Sequence, residues 1–288
     1  MIDFTSLEEI LNKYTGSEKK KTIIYHNKKY LVKFPDPVRE KNKNISYINN
    51  AYSEYVGSNV FKLCGFNVQN TILGIYYYNH KKKIVCACED FTDADSELYE
   101  FENLALSINP DKKIGTELKD VLEVLNSMKN FINTNASQQF FDMFVIDALI
   151  GNTDRHNSNW GFLYHKKDNT IDFAPIYDNG SCLNPMLEDS ELEKLDDIEL
   201  KNIIYNVYSC LKINNKKIHY FEFIQSMENT ECNKALIRVF PRIDISRIKE
   251  FILRIEGMSD IRKEFYKKVI EGRYQILESV YKKLEKLD

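Results

Sequence analysis

The sequence predicts an α+β fold with two lobes, a small β-rich amino-terminal lobe that carries one helix and a larger, mainly helical carboxyl-terminal lobe. The first third of the chain contains short runs rich in Ile, Val and Tyr between turn residues, a pattern typical of antiparallel strands. After about residue 95 the apolar residues recur at intervals of three and four, which indicates amphipathic helices. We therefore expect one lobe over residues 1–92 and the other over residues 93–288, joined near residues 89–95.

The first lobe is expected to contain two strand pairs and one helix. Residues 21–35, KTIIYHNKKYLVKFP, predict two strands joined at His26 and Asn27. The stretch NNAYSEYVGSNVFKLCGF has apolar residues at helical spacing, and Gly65 suits the position that follows a helix C-terminus. The runs NVQNTILGIYYY and KKKIVCACEDF then predict a second strand pair across an Asn-His-Lys turn.

The second lobe is expected to be helical apart from one hairpin. TELKDVLEVLNSMKNFI and SQQFFDMFVIDALI predict two helices, the second with Ser137 as its N-cap and Gly151 after its last turn. Two longer amphipathic patterns fill residues 244–287 and are separated at Gly257. The hairpin consists of NWGFLY and TIDFAPIYDNG, which flank the turn KKDN.

Composition excludes several classes of protein. The chain has 288 residues, with 40 Lys and Arg against 43 Asp and Glu, so its charge gives no reason to expect direct binding of nucleic acid. No segment approaches the run of about 18 apolar residues that a transmembrane helix needs, and the amino terminus does not resemble a signal peptide. The six cysteines have neither disulfide-scaffold nor zinc-site spacing. We therefore expect no membrane partner and a reducing, cytoplasmic location by default, with delivery to another cell left open.

A short polar loop, NTDRHNSN, follows the predicted helix that ends near Gly151. Asp154 and Asn159 have the Asp-x-x-x-x-Asn spacing of kinase catalytic loops, in which the Asp receives the proton of the nucleophile and the Asn holds a magnesium ion. The same spacing begins at Asp147 and at Asp197, but both of these positions lie in predicted helices. Only the middle pair lies wholly in a loop, which makes Asp154 the candidate catalytic base.

The predicted hairpin brings a second carboxylate to this loop. If Asp168 and Asn169 form a two-residue turn, Asn159 pairs with Asp178, and paired Cα atoms lie about 4.5–5.5 Å apart. One magnesium ion, bound at about 2.0–2.1 Å from each oxygen, could then be shared by the amide and the carboxylate. Gly180 would permit a sharp turn after the carboxylate. Asn159 and Asp178 are therefore the predicted metal ligands.

The first lobe offers groups that could bind the phosphates of a nucleotide. Lys33 lies among apolar residues on a predicted strand, where its charge needs an anionic partner. A phosphate would serve, with Glu54 on the following helix as the carboxylate that orients the lysine. The alternative is an edge-strand lysine whose ammonium reaches water. The polar stretch KYTGSEKKKT contains one glycine, and backbone N–H groups at Gly16 and Ser17 could contact phosphate.

His156 has two interpretations that the sequence leaves open. No second His or Cys lies at zinc-ligand spacing, so a zinc site is excluded. The side chain could donate a hydrogen bond to a phosphoryl group during transfer, or it could hold the loop in shape through a structural hydrogen bond.

Several segments together resemble the HipA-like serine/threonine kinases. These segments are YLVKFP, SEYVGSNVFKLCGF, EDF, LIGNTDRHNSNWGF and APIYDNGSCL, and the similarity extends to RVFPRIDISRIKEF near the end. The chain is most similar to the short, cell-translocating branch of the family. The HRD and DFG triplets of ordinary protein kinases are replaced by NTDRH and YDNG.

The resemblance implies a bilobal protein-kinase-like fold that uses ATP and Mg²⁺ to phosphorylate Ser or Thr in a protein substrate. It implies that Asp154 is the catalytic base and that Asn159 and Asp178 are the metal ligands. It also implies that Lys33 binds the phosphates. It also implies a hinge that offers backbone groups to adenine, formed by Glu89, Asp90 and Phe91. HipA itself has an additional amino-terminal region and a DNA-binding antitoxin, so the resemblance leaves an antitoxin partner unassigned.

The resemblance further implies autophosphorylation in the polar loop before the first strand pair, although no serine matches the family's position. Thr15, Ser17 and Thr22 are the candidate acceptors. Two rival functions stay open. DRHNSN also resembles the catalytic loop of phosphatidylinositol kinases, which suggests a lipid or small-molecule phosphotransferase. A catalytically silent pseudokinase that acts as a binding module is the other rival.

Overall fold

A computed structural model describes residues 1–11, 20–35, 48–108, 114–128 and 135–287. The strands are Ile2–Asp3 (β1), Glu9–Ile10 (β2), Lys20–Tyr25 (β3), Lys28–Lys33 (β4), Thr71–Tyr78 (β5), Lys81–Glu89 (β6), Ser96–Glu100 (β7), Gly161–His165 (β8), Thr170–Phe173 (β9), Tyr208–Ile213 (β10) and Lys216–His219 (β11). The helices are Asn50–Leu63 (α1), Phe101–Ile108 (α2), Leu118–Ser127 (α3), Ala136–Ile150 (α4), Asp189–Leu192 (α5), Asp197–Tyr205 (α6), Tyr220–Ser226 (α7), Thr230–Val239 (α8), Ile245–Leu253 (α9) and Asp260–Leu284 (α10).

A six-stranded sheet with the order β1-β5-β6-β4-β3-β2 forms the sheet-rich part of the molecule. The predicted turn at His26 and Asn27 is present, and both residues have positive φ, as a tight hairpin turn requires. The turn between β5 and β6 contains two residues rather than the expected three, because Lys81 already pairs with Tyr78. Thr22, which was a candidate phosphate acceptor, lies in β3 and is only 5% exposed, which disfavours it as an acceptor.

The sheet has an apolar side chain layer on each face. One layer is a cluster around Phe4, Val32 and Val85. The opposite face contacts α1, which packs on β5 and β6, with Cys86 and Cys88 buried beneath it. The helix α1 is thereby held over the inner strands of the sheet. Its polar residues Glu54 and Ser58 form hydrogen bonds with Asn179, in the segment after β9.

The helical part is built around α4, which is buried along almost its whole length. It packs against α1, α3, α8 and α10. Its N-cap is Asn135, whose side chain accepts a hydrogen bond from the backbone N–H of Gln138, and not Ser137 as the sequence had suggested. Both side chains are suitable caps, so local propensity alone cannot decide between them. The helix ends as predicted at Gly151, which has a φ of 66°.

The hairpin β8–β9 has a different register from the predicted one. Phe162 pairs with Phe173, and residues 166–169 form a four-residue turn in place of the two-residue turn. Because β9 ends at Phe173, the expected ladder pairing of Asn159 with Asp178 is wrong. β7 adds a third strand to the hairpin and was not predicted.

The helical part also contains the hairpin β10–β11, which was not predicted. The sequence patterns had indicated only one β hairpin in this part of the chain. The polar residues Asn214 and Asn215 form its turn, both with positive φ. In the described part of the chain, no helix combines the length and the apolar character that crossing a membrane requires.

Gly151 provides a test of how α4 joins the following loop. A Cβ atom at this position would lie 2.2 Å from Nη1 of Arg273, which is fully buried on α10. Gly151→Ala should therefore lower the free energy of unfolding by more than the about 1–2 kcal/mol that a left-handed backbone costs a residue with a Cβ. Urea denaturation followed by circular dichroism measures the change. Gly115→Ala is the matched control, since nothing lies within 4 Å of its Cβ position, and an equal loss in both variants would contradict this account.

Candidate active site

A cavity of about 830 Å³ lies between the six-stranded sheet and the helical part, and most of the predicted site residues line it. Its sheet side includes Leu31, Lys33 and Cys88. The other lining residues include those with predicted roles, Asp90, Phe91, Asp154, His156, Asn159, Asp178 and Gly180, and three without one, Glu100, Ser158 and Tyr177. Residues that are far apart in the sequence thus line the same cavity.

Lys33 lies at the centre of a buried ionic network. It is the last residue of β4, only 6% exposed, and its ammonium donates hydrogen bonds to Oε2 of Glu54 and to Oδ1 of Asp178, each at 2.6 Å. The interpretation of Lys33 as an edge-strand lysine that reaches water is therefore wrong. Because both partners are carboxylates, the two charge-assisted hydrogen bonds fix the direction of the ammonium.

Glu54 connects α1 to the loop that carries Asp178. It is fully buried, and its second oxygen, Oε1, accepts a hydrogen bond from the backbone N–H of Asn179 at 2.9 Å. The side chain amide of Asn179 donates in turn to the hydroxyl of Ser58 on α1. A carboxylate inside the protein needs such partners, because burial without them would cost several kcal/mol, on the order of the desolvation penalty of an ion.

Asp178 has an unusual backbone and a strongly held carboxylate. Its φ is 57°, so Asp178 itself has the left-handed backbone of this turn. The sequence had indicated Gly180 as the residue that permits the turn. Burial opposes ionisation of the carboxyl, but the adjacent ammonium of Lys33 outweighs it and lowers the pKa of Asp178. Asp178 is therefore ionised at neutral pH. Its side chain is 35% exposed, so one part of it faces the cavity.

The polar loop after α4 is held in shape by its own amide groups. Asn152 accepts a hydrogen bond from the backbone N–H of Asp154, and the side chain N–H of Asn159 donates to the carbonyl of Asp154 at 2.7 Å. The second bond leaves the amide oxygen of Asn159 as the atom that is available to a ligand. The carboxylate of Asp154 is 48% exposed. Partial burial raises the pKa of Asp154, while His156 acts in the opposite direction.

His156 has contacts that fit both of its interpretations. Its Nδ1 accepts a hydrogen bond from the backbone N–H of Ser158 at 3.3 Å, which stabilises the loop. Its Nε2 lies 3.9 Å from Oδ2 of Asp154, and the ring is 43% exposed at the cavity. One ring nitrogen thus serves the loop, while the other faces the space in front of Asp154.

Arg155, for which no role was predicted, donates hydrogen bonds from all three of its nitrogens within the site. It is 2% exposed, and its Nε and Nη2 donate to the two oxygens of Asp147, each at 2.9 Å. Nη2 also donates to Oδ1 of Asn179 at 2.6 Å, and Nη1 donates to the carbonyls of Asn159, at 2.9 Å, and Tyr177. One feature of the sequence could have indicated the role of Arg155. Asp147 is a carboxylate in an apolar helix, and such a group needs a cationic partner.

Two of the three predicted hinge residues, Asp90 and Phe91, line the cavity. The carbonyl of Glu89 accepts from the side chain of Gln69, and the N–H of Asp90 donates to the carbonyl of Lys29. The carboxylate of Glu89 instead forms an ion pair with Lys28 outside the cavity. The ring of Phe91 contacts that of Tyr177, with their centroids 5.9 Å apart. Asp90 and Phe91 line the cavity, and Glu89 does not.

Gly16 and Ser17, the predicted phosphate-loop residues, lie outside the described residues, as does Thr15. Glu100 is a cavity residue that the sequence analysis missed. Burial and the nearby carboxylate of Glu102 raise the pKa of Glu100. It ends β7, a strand that had not been predicted either.

The donor groups at the cavity fit a divalent cation that is shared with phosphate. Within the described ranges, no group of three or more His, Cys, Asp and Glu side chains forms a self-sufficient metal site. The amide oxygen of Asn159 and the carboxylate of Asp178 are hard oxygen donors, and both line the cavity. Mg²⁺ is usually held by one or two such protein groups, with water and substrate phosphate completing the octahedron.

Comparison with known proteins identifies the family. Residues 13–236 match the HipA-like C-terminal domain. The chain is 42% identical over 281 residues to the serine/threonine-protein kinase CtkA of Helicobacter pylori, a match that covers 94% of this chain and 85% of that protein. The crystal structure of a Helicobacter pylori proinflammatory kinase CtkA superposes with a TM-score of 0.89 at 39% identity, and it covers 100% of this chain and 98% of that one.

A more distant structure shares the fold. The Shewanella oneidensis HipA, solved with HipB and operator DNA, has a TM-score of 0.59 at 15% identity, and it covers 95% of this chain and 66% of that one. The predicted combination of a sheet-rich part with a larger helical part is thereby confirmed as a HipA kinase-like fold. The chain belongs to the HipA-like family, together with the serine/threonine kinase CtkA.

Proposed function

We propose that this protein is an ATP- and Mg²⁺-dependent serine/threonine protein kinase of the HipA and CtkA type. The observation that carries the proposal is the arrangement around Lys33. A buried lysine is held between Glu54 and Asp178, and Asp154 lies on the wall of the same cavity. These are the charged groups that phosphoryl transfer needs, a phosphate-binding cation, an oxygen donor for a metal and a proton acceptor. We further propose that residues 1–92 and 93–288 are the two lobes that close around ATP.

The cavity has the size and the lining that a nucleotide requires. Its volume of about 830 Å³ lies within the range of about 300–1,000 Å³ that is usual for small-molecule sites. In our proposal, adenine lies against Leu31 and Phe91 and meets backbone groups of Asp90 and Phe91, the two hinge residues that line the cavity. The phosphates then extend towards Lys33, whose ammonium is directed by Glu54 and Asp178.

Asp154 is the proposed catalytic base. It accepts the proton of the acceptor hydroxyl while the oxygen of Ser or Thr forms its bond to the γ-phosphorus. The bond from that phosphorus to the β–γ bridging oxygen breaks, and ADP leaves with the bridging oxygen. His156 lies beside Asp154 and presents Nε2 to the transferred group. A general base of this kind contributes about 10²–10⁴-fold to the rate.

Asn159 and Asp178 are the proposed ligands of the magnesium ion. The bound ion would neutralise charge on the phosphate oxygens and hold them in line with the acceptor. Lys33 binds the same phosphates from the sheet side, and its two carboxylate partners hold the ammonium in place. The protein substrate would enter at the exposed face of Asp154.

Incubation with labelled ATP and Mg²⁺, alone and with a generic basic protein, tests the proposal. Phosphoamino-acid analysis should find label on Ser or Thr of this chain or of the added protein. A parallel reaction with phosphatidylinositol vesicles tests the lipid-kinase alternative. Nucleotide binding without transfer to any acceptor would instead indicate a pseudokinase, and transfer to lipid alone would replace the protein-kinase assignment.

Lys33→Met should raise the KM for ATP by about 10–100-fold, because a hydrogen bond to a charged group contributes about 1.5–3 kcal/mol. Steady-state kinetics with varied ATP measures the effect. Lys29→Met, an exposed change on the same strand, is the control and should leave KM unchanged. The loss of Lys33 also leaves Glu54 without its cation, so thermal melts must establish that the variant is folded. A folded Lys33→Met variant with unchanged KM would contradict the phosphate-binding role.

A further inference from the structure

The guanidinium of Arg155 joins two segments that together supply the proposed metal ligands. Nη1 donates to the carbonyl of Asn159, at 2.9 Å, and to the carbonyls of Tyr177 and Asp178, the last at 3.3 Å. Asn159 lies at the end of the polar loop, whereas Asp178 follows β9. No ladder pairing connects these two positions, because β9 ends at Phe173. Arg155 therefore provides a direct link between the backbones of both ligand residues.

The other side of the guanidinium is anchored to the rigid core. Asp147 accepts two hydrogen bonds from Arg155, and its own helix, α4, is buried along almost all its length. Asn152 donates to the same carboxylate at 3.3 Å. A bidentate pair of this kind fixes the plane of the guanidinium, so the direction of Nη1 is set by α4.

Stability alone does not account for this buried pair. Removing two charges from water costs more than their attraction usually returns, and an apolar pair of similar volume often gives an equally stable protein. Arg155 offsets the cost of its desolvation through further hydrogen bonds, and the acceptors of these bonds belong to the two segments that carry the proposed metal ligands. The contacts are thus concentrated where the position of the backbone matters to the site.

The same contacts reach the phosphate-binding lysine. Asn179 accepts from Nη2 of Arg155 with its side chain oxygen, and its backbone N–H donates to Glu54, the partner of Lys33. One residue of the loop after β9 therefore connects Arg155 with α1. A displacement of Arg155 would move Asp178 relative to both Asn159 and Lys33.

We propose that Arg155 is a positioning residue, which sets the separation of Asn159 and Asp178 so that both bind one divalent cation. This inference rests on the proposed function, since it assigns a metal to these two side chains. Arg155 touches neither the nucleotide nor the acceptor in this account. It acts through the backbone of the two ligands, and groups behind metal ligands typically change metal affinity by about 10–100-fold when they are replaced.

Direct measurement of metal binding tests the inference. Mn²⁺ is titrated against the protein with a non-hydrolysable ATP analogue, and free Mn²⁺ is followed by electron paramagnetic resonance. Arg155→Lys and Arg155→Met should raise the dissociation constant for Mn²⁺ by at least about tenfold. Affinity for the analogue without metal should change little, because Lys33 and the hinge remain in place. A purely structural role would lower the folded fraction without changing the affinity of the folded molecules.

Arg238 supplies the matched control. It pairs with Asp142 on the same helix α4, at 2.6 Å, and it does not line the cavity. Arg238→Met should affect stability without changing Mn²⁺ affinity. If Arg155→Met does not fold, Asp147→Asn loosens the anchor while retaining Arg155, with Asp142→Asn as its control. Unchanged Mn²⁺ affinity in the folded Arg155 or Asp147 variants overturns the inference, as does an equal shift in the controls.

Failure of this inference is distinguishable from failure of the proposed function. A wild-type protein that transfers phosphate, together with an Arg155 variant of unchanged metal affinity, rejects the role of Arg155 alone. A wild-type protein that binds Mn²⁺ with the nucleotide but never transfers phosphate rejects the kinase. In that case a weaker Mn²⁺ site in the Arg155 variants still supports the positioning role.

Discussion

Asp154→Asn is expected to lower kcat by about 10²–10⁴-fold, the usual contribution of a positioned general base. Asn has nearly the same shape as Asp, but it cannot accept the proton of the acceptor hydroxyl. The polar loop should keep its structure, because its hydrogen bonds use the backbone N–H and carbonyl of Asp154 rather than the carboxylate. Initial rates at saturating ATP give kcat, and calorimetry with Mg²⁺ and an ATP analogue should show unchanged binding.

Asp197→Asn is a suitable control for this experiment. Asp197 begins the third Asp-x-x-x-x-Asn spacing of the sequence, but it lies in the first turn of α6, and it does not line the cavity. Its replacement should leave kcat unchanged. A kcat of Asp154→Asn within threefold of the wild-type value would mean that no proton acceptor is needed at this position, and the assignment of the base would be rejected.

The elements that the sequence predicted well are those specified by local patterns. The strand pairs β3–β4 and β5–β6, the helix α1 and the end of α4 at Gly151 follow from alternation, helical spacing and glycine. The hairpin β10–β11 was missed, although its Asn214–Asn215 turn is a local signal of the same kind. β7 was missed because it pairs at the edge of a hairpin that follows it by many residues, and such long-range pairing is not encoded in a local window.

The candidate site was predicted through the chemistry of residue types, and only partly through geometry. Asp178 does lie at the cavity with Asn159, but not through the predicted hairpin register. The bridge between Val68 and Ile176 and the contacts of Arg155 place it there instead. These contacts join segments from three parts of the chain, so a pattern within one segment cannot indicate them.

The burial of Asp147 requires a cationic partner that the Asp-x-x-x-x-Asn spacing does not indicate. Asp147 was set aside because it lies in a helix, yet its carboxylate is 1% exposed and must be compensated. The compensating cation, Arg155, lies in the same loop as Asp154, and no role was predicted for it. A search for partners of charges within apolar helices would have found this pair from the sequence.

Asp178→Asn is expected to abolish measurable phosphotransfer, with kcat reduced by at least about a thousandfold. A metal ion contributes several kcal/mol to stabilising the charge of the transition state, and about 1.4 kcal/mol corresponds to a factor of ten. The fold should be retained, because Asp178 has a φ of 57° and Asn tolerates this left-handed conformation at least as well as Asp. Lys33 keeps its bond to Glu54 in the variant, so the phosphate-binding cation stays in place. Rates with varied Mg²⁺, together with Mn²⁺ binding, measure the effect.

Asp172→Asn is the matched control for Asp178→Asn. Asp172 lies on β9, the strand that precedes the loop of Asp178, and its side chain is 41% exposed. It faces His165 at 3.3 Å and does not line the cavity. It should leave both the rate and the metal requirement unchanged. Partial rescue of Asp178→Asn by high concentrations of Mg²⁺ or Mn²⁺ is expected if the remaining amide oxygens hold the ion weakly. If turnover and Mn²⁺ affinity in Asp178→Asn equal those of the wild type, the ion is bound by other groups, and the roles assigned to both Asp178 and Asn159 are wrong.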